Sequence, residues 1–321
     1  MGLKYYLVKR LALLPVLVIL ITSVLFFIAR AAPGDPVRIF YGMRSDVPYS
    51  EAELAPIRAK LGLDQPIHIQ YFKWLTTILQ GDLGYSWLRV APVAKVITPK
   101  LINTFILEIP AIILSLAIAI PAGVISAVKQ YTKTDYAVMT GALLLWSMPW
   151  FWVGLMLIYV FAVYFGLFPT FGMYTYGQEG NLVNLLYHMV LPVITAGATG
   201  AGLLTRLTRS SMLEVLRQDY ITAARSKGLK ERVVIYKHAL KNALIPVVTA
   251  LSQFVSLLVG GAAVIEVVFA WPGIGRLVIE AAAERDYPVI LGVNVVVAIA
   301  VLAAFIITDL VYTYLDPKIK L

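Results

Sequence analysis

Four ionisable side chains, Glu108, His188, Glu266 and Asp309, fall inside or at the ends of long apolar runs. A charge in hydrocarbon is costly, so such groups mark a solute path, a proton relay, a partner or an inward hydrogen bond. Glu108 and His188 are the candidates for lining a path, each with an inward hydrogen bond near a span end as its other reading. Glu266 and Asp309 stand close to the ends of their runs, where a carboxylate reaches the interface. Four scattered groups do not compose a proton relay. Other chemistry lacks its residues. The sequence has no Gly-x-x-x-x-Gly-Lys-[Ser/Thr] phosphate loop, no His-Glu-x-x-His and no Gly-x-Ser-x-Gly. His68, His188 and His238 are too far apart for metal-ligand spacing, and there is no cysteine. The expectation is a non-catalytic chain with no catalytic residue, cofactor or metal.

The elements that hold these groups follow from composition. Of 321 residues, 60% are hydrophobic and 14% charged, and the mean hydropathy is +0.81, values that belong to a polytopic membrane protein. The formal net charge of +9 does not point to nucleic acid, because the basic residues sit in loops beside apolar runs. Six spans are expected, near residues 11–29, 103–128, 136–165, 185–204, 243–268 and 289–311. The first run, with Ala29-Arg30-Ala31 after it, also has the look of a cleaved signal peptide. Its length exceeds the ~7–15 residues of an h-region, and further spans follow, which favours an uncleaved span. Lys4, Lys9 and Arg10 place the N-terminus inside, Lys129 and Lys133 the second loop inside, and the Lys/Arg-free stretch between Lys133 and Arg206 puts residues 166–184 outside. Both termini are then cytoplasmic.

Between the first two spans, turn signals at Pro33-Gly-Asp-Pro36, Leu61–Pro66 and Gly81-Asp-Leu-Gly84 separate two helices, Ser50–Leu61 and Ile67–Leu79. These lie on the bilayer interface or in a solvated loop with aromatic anchors. The second span is expected to kink at Pro110 and Pro121. In the fourth, Gly197, Gly200 and Gly202 would admit a close neighbour.

The loop from Arg206 to Lys241 carries nine basic residues against Glu214, Asp219 and Glu231. Within it, Tyr220, Ala223, Ala224 and Lys227 recur at helical spacing, Gly228 suits a left-handed end, and a second helix starts near Glu231 and runs past Pro246. A topological bias explains the Lys and Arg residues but not the small ones. Ala223, Ala224 and Gly228 leave room for another protein's surface, with Arg225 and Lys227 as charge on its rim. Outside, Trp271-Pro-Gly-Ile-Gly275 is a stiff aromatic turn; Trp271, Pro272, Gly273 and Gly275 are candidates for an outer gate or a docking surface.

The spacing of Ala223-Ala224, three residues, Gly228, then His238-Ala-Leu240 resembles the EAA loop of binding-protein-dependent ABC importer permeases, with the dipeptide/oligopeptide branch and its B-type subunit most similar. Pro33–Pro36, Gly81–Gly84, Thr205–Leu216, Glu266–Gly275, Arg285–Pro288 and Leu315-Asp-Pro317 extend the resemblance over nearly the whole chain. Thr222 stands where the general motif has Glu, and Lys241 where it often has Pro, departures similar to those of that branch. The resemblance implies an all-α polytopic protein with the six-helix type I permease fold. Residues 1–98 would hold the first span and an extracytoplasmic segment, 99–313 the transmembrane domain with its coupling loop at 206–241, and 314–321 a cytoplasmic tail. It further implies a second homologous permease, two cytoplasmic ABC ATPases, an extracytoplasmic solute-binding protein and a bacterial or archaeal plasma (inner) membrane, with no nucleic acid. The solute stays open among dipeptides, oligopeptides, glutathione, nickel chelates and sugars. A secondary transporter or channel is the competing reading, and a purely structural subunit a third. The first of these would show internal repeats, and residues 1–160 and 161–321 show none.

Overall fold

Apolar length sets the helices and proline sets where they turn. The computed structural model describes residues 3–31, 37, 50–251 and 262–315. Pro33–Pro36 and the tail after Leu315 lie outside the described residues, as does the side chain of Asp309. Helix α1 (Leu3–Ala31) precedes two short helices, α2 (Glu51–Leu61) and α3 (Ile67–Leu79). Ser50 N–H donates to Glu53 Oε2 at 2.8 Å, closing the start of α2. The aromatic residues of α3 find a partner that neither sequence reading supplied. Tyr71 and Trp74 pack on Phe26 of α1 with ring centroids 5.5 and 5.1 Å apart, and Tyr71 Oη meets Ser23 Oγ at 2.7 Å. Phe72 alone of the three points outward.

A hairpin of β1 (Tyr85–Ser86) and β2 (Ala91–Pro92) leads into α4 (Val93–Val128). With 36 residues, α4 is about 54 Å long, far more than the ~30 Å of hydrocarbon. It begins ten residues before the expected span because Val93 and Ile97 pack against Ile274, Leu277 and Val293. α4 runs unbroken through residue 98, where the first expected segment ends. Pro110 and Pro121 lie inside one continuous helix.

The expected third span is two helices. α5 (Lys133–Ser147) and α6 (Trp150–Leu157), which continues as a wide turn over Ile158–Tyr164, meet at 99°. Pro149 causes the bend: it has no N–H to donate, and it holds Met148 extended at φ −77°, ψ 133°. α7 (Leu182–Val215) starts where the Asn181 side chain accepts from the N–H groups of Val183 and Asn184 at 3.0 and 3.3 Å. Its glycines do admit close neighbours. A Cβ on Gly197 would stand 2.8 Å from Leu114 of α4, and one on Gly202 2.6 Å from the Ala142 carbonyl of α5.

After α7 come α8 (Asp219–Ser226), α9 (Glu231–Val233), a wide turn over Val234–Ala239 and α10 (Leu240–Ala243), with helix again over residues 245–251. Beyond residue 261 lie α11 (Ala262–Val268), α12 (Ile274–Glu284) and α13 (Tyr287–Leu315), the last packed along α1 and α4. Among the described residues, three stretches are long and apolar enough to cross a membrane: α4, α7 and residues 287–306 of α13. The bent α5–α6 pair makes a fourth if it counts as one span. The first expected span coincides with most of α1, and the fifth runs through residues 252–261, outside the described ones.

Candidate functional site

Two places gather the sequence candidates, one at each end of α4. At the first, α8 is short and amphipathic, with Asp219 in its first turn where a helix N-terminus favours negative charge. Ile221 and Ala224, three residues apart, turn inward onto Val124 and Ala127 of α4, Met212 of α7, and Val234, Ile235 and Ala239. Tyr220, 43% exposed, turns outward with Thr222, Ala223, Arg225 and Lys227. Gly228 then closes the helix at φ +74°, its N–H donating to the Arg225 carbonyl at 2.9 Å. Nothing lies within 4 Å of a Cβ built there, so the backbone conformation, not space within the chain, asks for glycine.

Two expectations for this loop change. Ala224 is buried in the chain's own core and leaves room for α4 and the Val234–Ala239 turn; only Ala223 of the pair faces out. Arg225 is already engaged, its guanidinium forking onto Glu231 at 2.7 and 3.2 Å across the Gly228 turn. That pairing holds the Glu231 carboxyl below its ordinary range. Lys227 stays exposed, with Lys230 and Arg232 beside it. The Tyr220 hydroxyl accepts from Asn242 Nδ2 at 2.7 Å, tying α8 to α10. Glu231 and Asn242 were not read from sequence as part of the site, because their partners lie across turns. The apolar Ile221–Ala224 spacing is the local signal from which the inward face could have been read.

At the other end of α4, Asn103 and Thr104 hold the Trp271–Ile274 turn. Trp271 Nε1 donates to the Asn103 carbonyl at 2.9 Å, and Asn103 Nδ2 donates to the Pro272 carbonyl at 3.0 Å. Thr104 Oγ1 donates to Glu266 Oε1 at 2.5 Å and accepts from Ile274 N–H at 2.8 Å. Glu266, fully buried, also accepts from Arg276 N–H at 2.9 Å. Arg276 is the third residue of α12, so the carboxylate caps that helix from α11 and meets its positive end. Glu266 therefore does not reach the interface. Gly273 is glycine because a Cβ would lie 2.0 Å from Glu266 Oε1, and Gly275 because one would lie 2.6 Å from Ala263 Cα.

Trp271 and Ile274 are fully buried as well. The indole is thus unavailable to a docking partner in this conformation; the motif is an internal corner. His188, expected to line a path or bond inward, staples the loop after α6: its ring nitrogens face Thr175 Oγ1 at 3.2 Å and the Gly172 carbonyl at 3.0 Å. Glu108, also buried, lies one turn along α4 from Thr104. The structure does not bring Glu108 and His188 together with the basic loop.

The chain is similar to known proteins over nearly its whole length. A family described as binding-protein-dependent transport system inner membrane component matches residues 119–321, and its N-terminal companion matches residues 3–108. The oligopeptide transport system permease protein AppB of Bacillus subtilis is 40% identical over 316 residues, covering 98% of this chain and 99% of its own. The dipeptide transport system permease protein DppB of Escherichia coli is 38% identical over 98% of each chain. The glutathione transport system permease protein GsiC of Salmonella paratyphi A is 36% identical over 99% of each. An inward-facing structure of the MetNI methionine ABC transporter superposes with a TM-score of 0.56 at 20% identity, over 69% of this chain and 96% of that one. That likeness establishes the fold.

Proposed function

This chain belongs to the family of binding-protein-dependent transport system inner membrane components, and from that premise we propose that it forms half of the translocation path of an ATP-driven importer for dipeptides or oligopeptides. In this family the permease is a non-catalytic membrane subunit and hydrolysis belongs to separate chains. The full assembly would add a second homologous permease, two cytoplasmic ATPases and an extracytoplasmic solute-binding protein in a bacterial or archaeal plasma membrane. Six spans with both termini inside complete the proposal.

The observation that carries the coupling part is α8. A short helix whose inner face is fixed by Ile221 and Ala224 presents Tyr220, Ala223 and Lys227 outward on a rigid base. Such a helix passes a push from a partner into the bundle instead of absorbing it. Peptide as solute is supported by the relatives' names, and glutathione is the nearest competitor among them. Copurification of the tagged chain should recover both ATPases and the second permease, and the solute retained by the cognate binding protein should be a peptide. A chain that purifies without any ATPase would defeat the proposal. A sugar or metal chelate in the binding protein would change the solute and leave the rest.

A further inference from the structure

The cytoplasmic edge contains an ion pair that joins the start of the expected 206–241 loop to α5. Asp135 is the third residue of α5, Ser126 lies in the last turn of α4, and Arg209 lies near the end of α7, ten residues before α8 begins. Arg209 forks onto Asp135, Nε to Oδ1 and Nη2 to Oδ2, each at 2.7 Å. Ser126 Oγ donates to Oδ1 as well, and Tyr131 N–H donates to Oδ2 at 2.9 Å. The carboxylate of α5, 2% exposed, thereby receives four donors, from α4, from α7 and from the turn between α4 and α5. Tyr131 is held at φ +63°, a conformation an ordinary residue adopts at a cost.

We propose that Asp135 and Arg209 are positioning residues which fasten α4 and α5 to the end of α7, so that a displacement of α8 reaches the outer Trp271 corner. This rests on the importer reading above. Apolar contacts such as those of Ile221 and Ala224 resist separation but allow sliding, whereas a planar guanidinium fork fixes direction and register. A buried ion pair is a poor source of net stability compared with an apolar replacement, which leaves specificity of position as its use here. Close packing reinforces it: a Cβ on Gly123 of α4 would stand 2.6 Å from Thr208 of α7.

From the pair, two arms run to one place. α4 carries Asn103 and Thr104, which grip the Trp271–Ile274 turn. α5 leads through the Pro149 bend into α6, where Gly154 faces Phe269 and Val268, each 3.2 Å from a Cβ built on it. Phe269 precedes Trp271 by two residues, so both arms end on the same corner.

The test uses the assembled complex in proteoliposomes, with peptide uptake and ATP hydrolysis measured together and normalised to assembled protein. In Asp135→Asn, the uptake per ATP hydrolysed should fall about tenfold, within the usual span of coupling between sites. Arg209→Lys keeps the charge but loses the fork, and should lie between that variant and the parent. The Asp135→Asn/Arg209→Gln double variant leaves no unpaired buried charge; it should recover abundance and thermal stability without recovering the ratio. A parental ratio in Asp135→Asn, or recovery of ratio and stability together in the double variant, would reduce the pair to a folding contact and overturn the proposal. An unmodified complex whose hydrolysis ignores loaded binding protein would overturn the importer reading itself.

Discussion

Gly228 and Gly273 are glycine for different reasons, and the difference decides what each substitution does. At Gly228 the positive φ of +74° is the constraint and the surroundings are open, so Gly228→Ala should cost about 1 kcal/mol in the loop and lower ATPase recovery in copurification. At Gly273 the constraint is the Glu266 carboxylate. Gly273→Ala should overpack that corner and cost about 1–3 kcal/mol, read as a lower unfolding temperature with the ATPase contact intact. Ala224→Leu belongs with the second case, since Ala224 packs in the loop's own core. Its expected result is a less stable chain and not only a weaker partner contact. The Arg225–Glu231 pair is exposed and screened, so removing it should cost little. Its contribution is present at neutral pH and fades only in acid, as pH falls through the lowered Glu231 pKa.

At the scale of elements, period and punctuation made most helices legible and left their junctions hidden. The helices Ser50–Leu61 and Ile67–Leu79 were expected almost to the residue, and Gly228 was expected in its left-handed role. The Pro149 bend was not, because a proline inside an apolar run reads equally as a tolerated kink. Glu266 was misplaced at the interface for a related reason: its two donors come from Thr104 of α4 and from the Arg276 N–H of α12, contacts no local pattern records. The Asp135–Arg209 pair, 74 residues apart in sequence, left no local signal at all. If Glu266 is the cap of α12, Glu266→Gln should lose about 1–2 kcal/mol, and hydrogen exchange should quicken first at the amides of Ile274–Leu277. Uniform quickening over α12 and α13 would assign the carboxylate a general packing role instead.

For the whole molecule, the loop charges predict an orientation that a chain without cysteine allows to be tested on a clean background. Single cysteines at Ser50 and Glu179 should react with an impermeant thiol reagent in intact cells, and one at Lys230 should not. Labelling at position 230 would invert the arrangement on which the cytoplasmic role of α8 depends. The central claim is that a push on α8 from an ATPase drives solute through this bundle. The direct measurement is uptake of labelled dipeptide by proteoliposomes holding the complete complex and loaded binding protein, with ATP enclosed and no ion gradient. The account predicts uptake that requires ATP and falls severalfold when Gly228 is replaced by Val; uptake that continues without ATPase subunits and follows an imposed ion gradient would contradict it.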